Sequence, residues 1–141
     1  MMRSFKIFVT LVLTVVMFQS CSLSDDDTIN VQYELLPVEE AFLPTEMTVN
    51  EIYEISVSYI LPTDCHAYND IYYSKVDFER TVAIVSAYFA NNEPCETQTA
   101  IFETNFNFKP LNSGTYTFKF WKGTDDSGTD LYEEVLVEVS E

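Results

Sequence analysis

Glycine is scarce, histidine and tryptophan occur once each, and positive charge is thin. The 141-residue chain holds 3 Gly, 5 Pro, 1 His and 1 Trp, with 7 Lys plus Arg against 23 Asp plus Glu. Each shortage excludes something. So few glycines give little sign of long active-site loops. The one histidine, His66, would have to serve any Ser-His-Asp triad, yet no G-x-S-x-G elbow presents a nucleophile to it, and it reads as a turn histidine. A net charge of −16 argues against nucleic acid as a partner, because phosphate binding wants a basic face. No apolar run reaches the roughly 20 residues of a spanning helix.

What is present is apolar and aromatic. Hydrophobic residues make up 47% of the chain and aromatic residues 15%, ample for a packed core, so the acidity reads as a solvated surface on a folded domain. The carboxylates are many but unpatterned, and a paired-carboxylate hydrolase has no sequence support beyond their number. The expectation is a non-catalytic chain without a cofactor.

The first 20 residues have the layout of a secretory signal: basic Arg3 and Lys6, an apolar run over 7–18, then small Ser20 before Cys21. A cysteine after a small residue at that point resembles the lipobox of bacterial lipoproteins, although Phe18 and Gln19 depart from its usual residues. The resemblance implies a diacylglycerol on the Cys21 sulfur and a palmitate-type acyl chain on the new amino terminus. Ser24, Asp25, Asp26 and Asp27 follow, and they resemble the acidic export tag of surface lipoproteins in Bacteroidota. The implied address is the outer membrane, facing the cell exterior, with membrane lipid as the partner of Cys21. Two or three acyl chains make a durable anchor where one does not. The expected organisation is a removed leader over 1–20, a lipidated acidic tether over 21–30 and one domain over 31–141.

Lipidation of Cys21 leaves Cys65 and Cys95. In an oxidising compartment two remaining cysteines pair as a disulfide, the alternatives being two free thiols or half a metal site.

From Val31 onward the chain reads as short alternating strands with turns between them and no helical period. Strands are expected over 31–36, 47–49, 51–61, 68–76, 79–90, 97–108, from Tyr116, and over 131–139, while 38–43 is expected to be a loop or one helical turn. Tyr53, Ile55, Val57, Tyr59 and Leu61 share one face, with Glu54, Ser56 and Ser58 opposite. The run 81–85 looks covered on both faces. Asn91, Asn92, Glu93 and Pro94 mark a turn.

Leu111 and Gly114 before a strand-opening Tyr116 resemble the tyrosine corner of immunoglobulin-like sandwiches. That resemblance implies an all-β fold: a two-sheet sandwich of seven or eight antiparallel strands, with 51–61 as strand B and C, C′, E, F and G following as in fibronectin type III. Strands B and E are neighbours there, so Cys65, after B, and Cys95, before E, fall at one edge within reach of a bridge. The whole is similar to small surface lipoproteins of Bacteroidota that carry such a domain.

Two further groups carry chemistry. Trp121 falls on the face opposite Phe118 and Phe120, where with Tyr72 and Tyr73 it would offer an aromatic surface to a glycan or protein ligand; packing at the end of the core is the plainer alternative. Asp125, Asp126 and Asp130 around Gly128 have oxygens spaced as for calcium, but lack the full ligand pattern and read first as a hairpin turn. The functional expectation is a binding module, with a structural or accessory subunit of an envelope complex as the alternative.

Overall fold

The computed structural model describes residues 30–90 and 94–141. The leader, Cys21, the Ser24–Asp27 tag, nearly all of the tether and the Asn91-Asn92-Glu93 turn therefore lie outside the described residues. Nine strands follow in order: β1 Val31–Leu36, β2 Ala41–Phe42, β3 Glu46–Thr48, β4 Tyr53–Ile60, β5 His66–Val76, β6 Glu79–Phe89, β7 Ile101–Phe108, β8 Gly114–Thr124 and β9 Asp130–Ser140. They form two sheets, one of six strands and one of three.

The small sheet runs β2-β4-β7, all antiparallel. The stretch expected to be a loop or helical turn over 38–43 holds β2 instead. It is fastened to β4 by the Glu39 amide on the Ser58 carbonyl at 2.8 Å and the Ser58 amide on the Glu40 carbonyl at 2.9 Å. The Ser58 hydroxyl accepts from the Glu40 amide, which explains why a serine on the supposedly open face of β4 is buried.

The large sheet is organised on β6. Its one edge pairs with β5; its other edge is shared end to end, β1 taking residues 84–89 and β8 taking 79–82 in parallel. From β8 the sheet continues to β9, antiparallel, and then to β3, parallel to β9. Nine strands with two parallel pairings differ from the expected seven or eight antiparallel strands, and the order differs from that of fibronectin type III, which would set the strand after B beside β8. The residues explain it. Val82, Ala83 and Ile84 are all buried, as a strand covered on both faces requires, whereas β5 is largely exposed and breaks register between Tyr68 and Asp70, features suited to an outer edge.

The core lies between the sheets. Phe118 and Phe120 of β8, Ile55 and Val57 of β4, Val82 and Ile84 of β6 and Val137 of β9 are fully enclosed. Ring contacts knit it: Phe108 meets Phe118 edge-on at 5.0 Å and Tyr116 at 5.4 Å. The Tyr116 hydroxyl donates to the Asn112 carbonyl at 3.2 Å, the upstream backbone bond that defines a tyrosine corner. Gly114, at φ +137°, opens β8 where an added Cβ would stand 3.2 Å from the Phe78 ring, so the corner needs a residue without a side chain.

One buried polar group is unpaired. The Ser86 hydroxyl is wholly enclosed and has no hydrogen-bond partner among the described residues. Leaving such a group unsatisfied costs about 1–3 kcal/mol. Ser86→Ala is therefore expected to raise the denaturant midpoint, by about 1 kcal/mol in stability; a lowered midpoint would show that the hydroxyl is satisfied in solution.

Candidate binding cleft and the outer aromatic face

Cys65 and Cys95 are joined by a disulfide, with a Cα–Cα distance of 5.6 Å. The bridge closes the end of the β4–β7 ladder, as adjacency of those strands requires. Around it the Asp64 amide donates to the Glu96 carbonyl at 3.0 Å, the Gln98 amide to the Pro62 carbonyl at 3.1 Å, and the Glu96 amide to Asp64 Oδ1 at 2.8 Å. Thr97 makes only an isolated bridge to Thr63, and β7 proper starts later than the alternation suggests, at Ile101.

His66 opens β5 rather than sitting in the turn. Its Nδ1 is 2.7 Å from the Thr63 hydroxyl, its Nε2 2.6 Å from Glu34 Oε1, and its ring lies 4.9 Å from that of Tyr88. These contacts tie the beginning of β5 to β1 and β6.

Trp121 lies on the outer face of the large sheet, half-buried, and its indole N–H donates to Asp130 Oδ1 at 2.8 Å. With Leu35, Tyr72 and Tyr132 it walls a shallow depression floored by Thr81 and Ala83. Tyr73 does not join it. Tyr72 stands opposite Ala83 and Tyr73 opposite Val82, so the pleat sends the two rings to opposite faces. Tyr73 points inward and meets Phe106 at 5.6 Å.

Two of the three aspartates of the last hairpin, Asp125 and Asp130, are engaged with protein donors, and Asp126 is exposed. Asp125 Oδ1 accepts from the Ser127 hydroxyl at 2.6 Å, the Ser127 amide at 2.8 Å and the Thr129 amide at 3.0 Å. The Ser127 hydroxyl above all, then the Thr129 amide, hold its carboxyl below the ordinary carboxylate value. Asp130 is turned toward Trp121 and Tyr132. Among the described residues, the one grouping with metal-ligand atoms close together is Asp64, Cys65 and Cys95, and its two sulfurs are bonded to each other.

A further concavity was not legible in the sequence. Among the described residues β5 pairs only with β6 and β7 only with β4, so both sheets end there at edges without a described neighbour and leave a cleft of about 480 Å³ between them. Its walls are Tyr68, Asp70, Ile71, Tyr73 and Lys75 on β5 and Asn105, Asn107 and Phe106 on β7. Lys109, Leu111 and Asn112 complete the rim, and Arg80, Phe108 and Tyr116 the depth. Arg80 is 9% exposed. Its guanidinium lies 4.9 Å from the Tyr116 ring centre and 5.7 Å from that of Phe108, and one terminal nitrogen donates to the carbonyls of Asp77 and Glu79 at 2.8 and 2.7 Å. Burial raises the Tyr73 phenol above its ordinary value, while the Arg80 charge and hydrogen bonding pull it down. A concavity of this size, with rings on its walls and convergent polar groups, suits a small ligand or one end of a larger one.

Fold and cleft together define a two-sheet β-sandwich open along one side. A family model described as the ORF11 beta-sandwich domain matches residues 55–130, from within β4 to the start of β9, and the chain belongs to that family. The match takes in the disulfide and every residue that lines the cleft. No curated protein and no solved structure matches the chain.

Proposed function

We propose that this chain is a non-catalytic binding module, lipid-anchored through Cys21 to the outer membrane and facing the cell exterior, with the cleft between β5 and β7 as its recognition site. The immunoglobulin-like reading supplies the frame: a tyrosine corner at Tyr116 and a B-to-E-like pairing of β4 with β7, in a sheet order of its own. The observation that carries the binding reading is the cleft itself, where three tyrosines, three asparagines and three cations converge. A structural subunit pairing through its sheet edges is less well supported. The β5 edge is broken by the Tyr68/Asp70 irregularity and carries Lys75, devices that discourage edge-to-edge pairing.

The test is a glycan array read with the purified domain, beside a pull-down from detergent-solubilised outer membrane. Signals lost on Tyr73→Ala and kept on Trp121→Ala place recognition in the cleft. The reverse pattern moves it to the outer face, and two blank results leave the binding reading without support. Anchoring is tested separately by intact mass. An acylated amino terminus on Cys21 is expected, with Cys21→Ser released from the membrane, and Asp25, Asp26 and Asp27 changed together to Ala are expected to keep the lipid but lose surface exposure; an unmodified Cys21 overturns the anchor.

A further inference from the structure

Positive charge is the rarest resource of this chain, and its placement is uneven. The described residues hold five cations, Lys75, Arg80, Lys109, Lys119 and Lys122. Lys119 lies 3.6 Å from Glu79 and Lys122 3.3 Å from Glu133. The other three have no carboxylate within ion-pair distance among the described residues, and all three line the cleft.

Lys75 and Arg80 are also direct cross-strand partners in the β5–β6 hairpin. Side chains opposite one another in an antiparallel pair stand close together on the same face, and like charges there repel. In a chain with 23 acidic residues, a cation facing a cation at the wall of a cleft is an unfavourable pairing that a bound anion would reverse. Arg80 is already held for that task. Two backbone carbonyls fix one of its nitrogens and two ring faces fix its plane, so little freedom remains to be lost when the rest of its fork meets an oxyanion. Asp70 lines the cleft too, but its Oδ1 accepts from the Ile71 amide at 2.8 Å, and the cations outnumber it.

The remaining lining selects among anions. Asn105, Asn107 and Asn112 offer amides that both donate and accept, as sugar hydroxyls require, and Tyr68, Tyr73 and Phe106 offer rings. We infer that the cleft binds an acidic saccharide, its carboxylate or sulfate seated among Lys75, Arg80 and Lys109. This rests on the reading of the cleft as the recognition site, and names its ligand class.

The test uses four probes with the intact domain: a galacturonate tetramer, a chondroitin sulfate tetrasaccharide, an uncharged galactose tetramer and a hexaglutamate peptide. Titration calorimetry is run on the native domain and on a Lys75→Gln/Lys109→Gln double variant; both lysines are exposed, and unchanged thermal unfolding verifies its fold. At least one acidic saccharide is expected to bind, to lose about tenfold or more in affinity in the double variant, and to weaken as salt screens the charges. The two acidic sugars separate carboxylate from sulfate. Arg80→Lys keeps the charge and loses the fork, so it is expected to weaken binding without abolishing its salt dependence. Uncharged tetramer bound equally by native and variant domains would overturn the anionic inference and leave the cleft as a binding site. Hexaglutamate bound alone would make it a peptide groove and overturn the saccharide. Acidic saccharide binding unchanged in the double variant, or no binding by any probe, would overturn it as well, the glycan array deciding the wider reading independently.

Discussion

Phe118→Ala is expected to destabilise the domain by about 3–5 kcal/mol, a large part of the roughly 5–15 kcal/mol that holds a small domain folded. Phe118 has no exposed surface, sits mid-strand in β8 between the two sheets, and touches Phe108 edge-on at 5.0 Å and Phe120 at 6.2 Å. Truncation removes the transfer energy of the ring and leaves a cavity, because neighbours on two hydrogen-bonded sheets relax only in part. Phe118→Leu is expected to lose less than half as much, since it keeps most of the volume. Urea unfolding monitored by circular dichroism measures both. Equal small losses would mean that the site collapses around the missing ring, contrary to a core fixed by strand pairing on both sides.

The burial of Phe118 is legible in the sequence, and so is most of the strand layout, for one physical reason. A strand with one buried face writes its burial in every second residue. Tyr116, Phe118 and Phe120 on β8 and Ile55, Val57 and Tyr59 on β4 alternate cleanly and are buried as their parity requires. Pro37 ends β1 at Leu36 because a proline has no amide for the ladder. The short strands obey a different rule. β2 has two residues, too few for alternation to register, and is held by backbone bonds to Ser58 that are blind to side chains.

Sheet order is less legible than strand position. Analogy with fibronectin type III puts the strand after B beside β8, but the run Val82, Ala83 and Ile84 is that of a strand with neighbours over both faces, which belongs in the interior of a sheet. Parity also corrects the aromatic cluster: Tyr72 and Tyr73 are consecutive, so only Tyr72 can share a face with Trp121. The cleft stays hidden because its walls come from two sheets and from two edges whose lack of a neighbour is a property of topology alone. One trace of it does exist. A two-residue turn at Asp77 and Phe78 joins Val76 to Glu79, and such a hairpin places Lys75 against Arg80, like charges in a chain with few positive residues to spare.

Breaking the Cys65–Cys95 bridge is expected to cost about 3–4 kcal/mol, from the loop entropy of its 30-residue separation. The mechanism fixes where the effect is found. Backbone bonds from Asp64 to Glu96 and from Gln98 to Pro62 hold the same ends together in the folded protein, so losing the bridge changes the folded state little and the unfolded ensemble greatly. Cys65 is 2% exposed, and a serine there would add an enclosed hydroxyl to the cost, so the Cys65→Ala/Cys95→Ala pair is the cleaner variant. Its urea midpoint is expected to fall while the slope of stability against urea steepens, because an unfolded chain without the cross-link exposes more surface. Treating the native domain with a reductant should reproduce both changes. A fallen midpoint with an unaltered slope would locate the loss in folded-state packing around Cys65 instead, and no change in either would mean that the short ladder from Pro62 to Gln98 suffices without the covalent link.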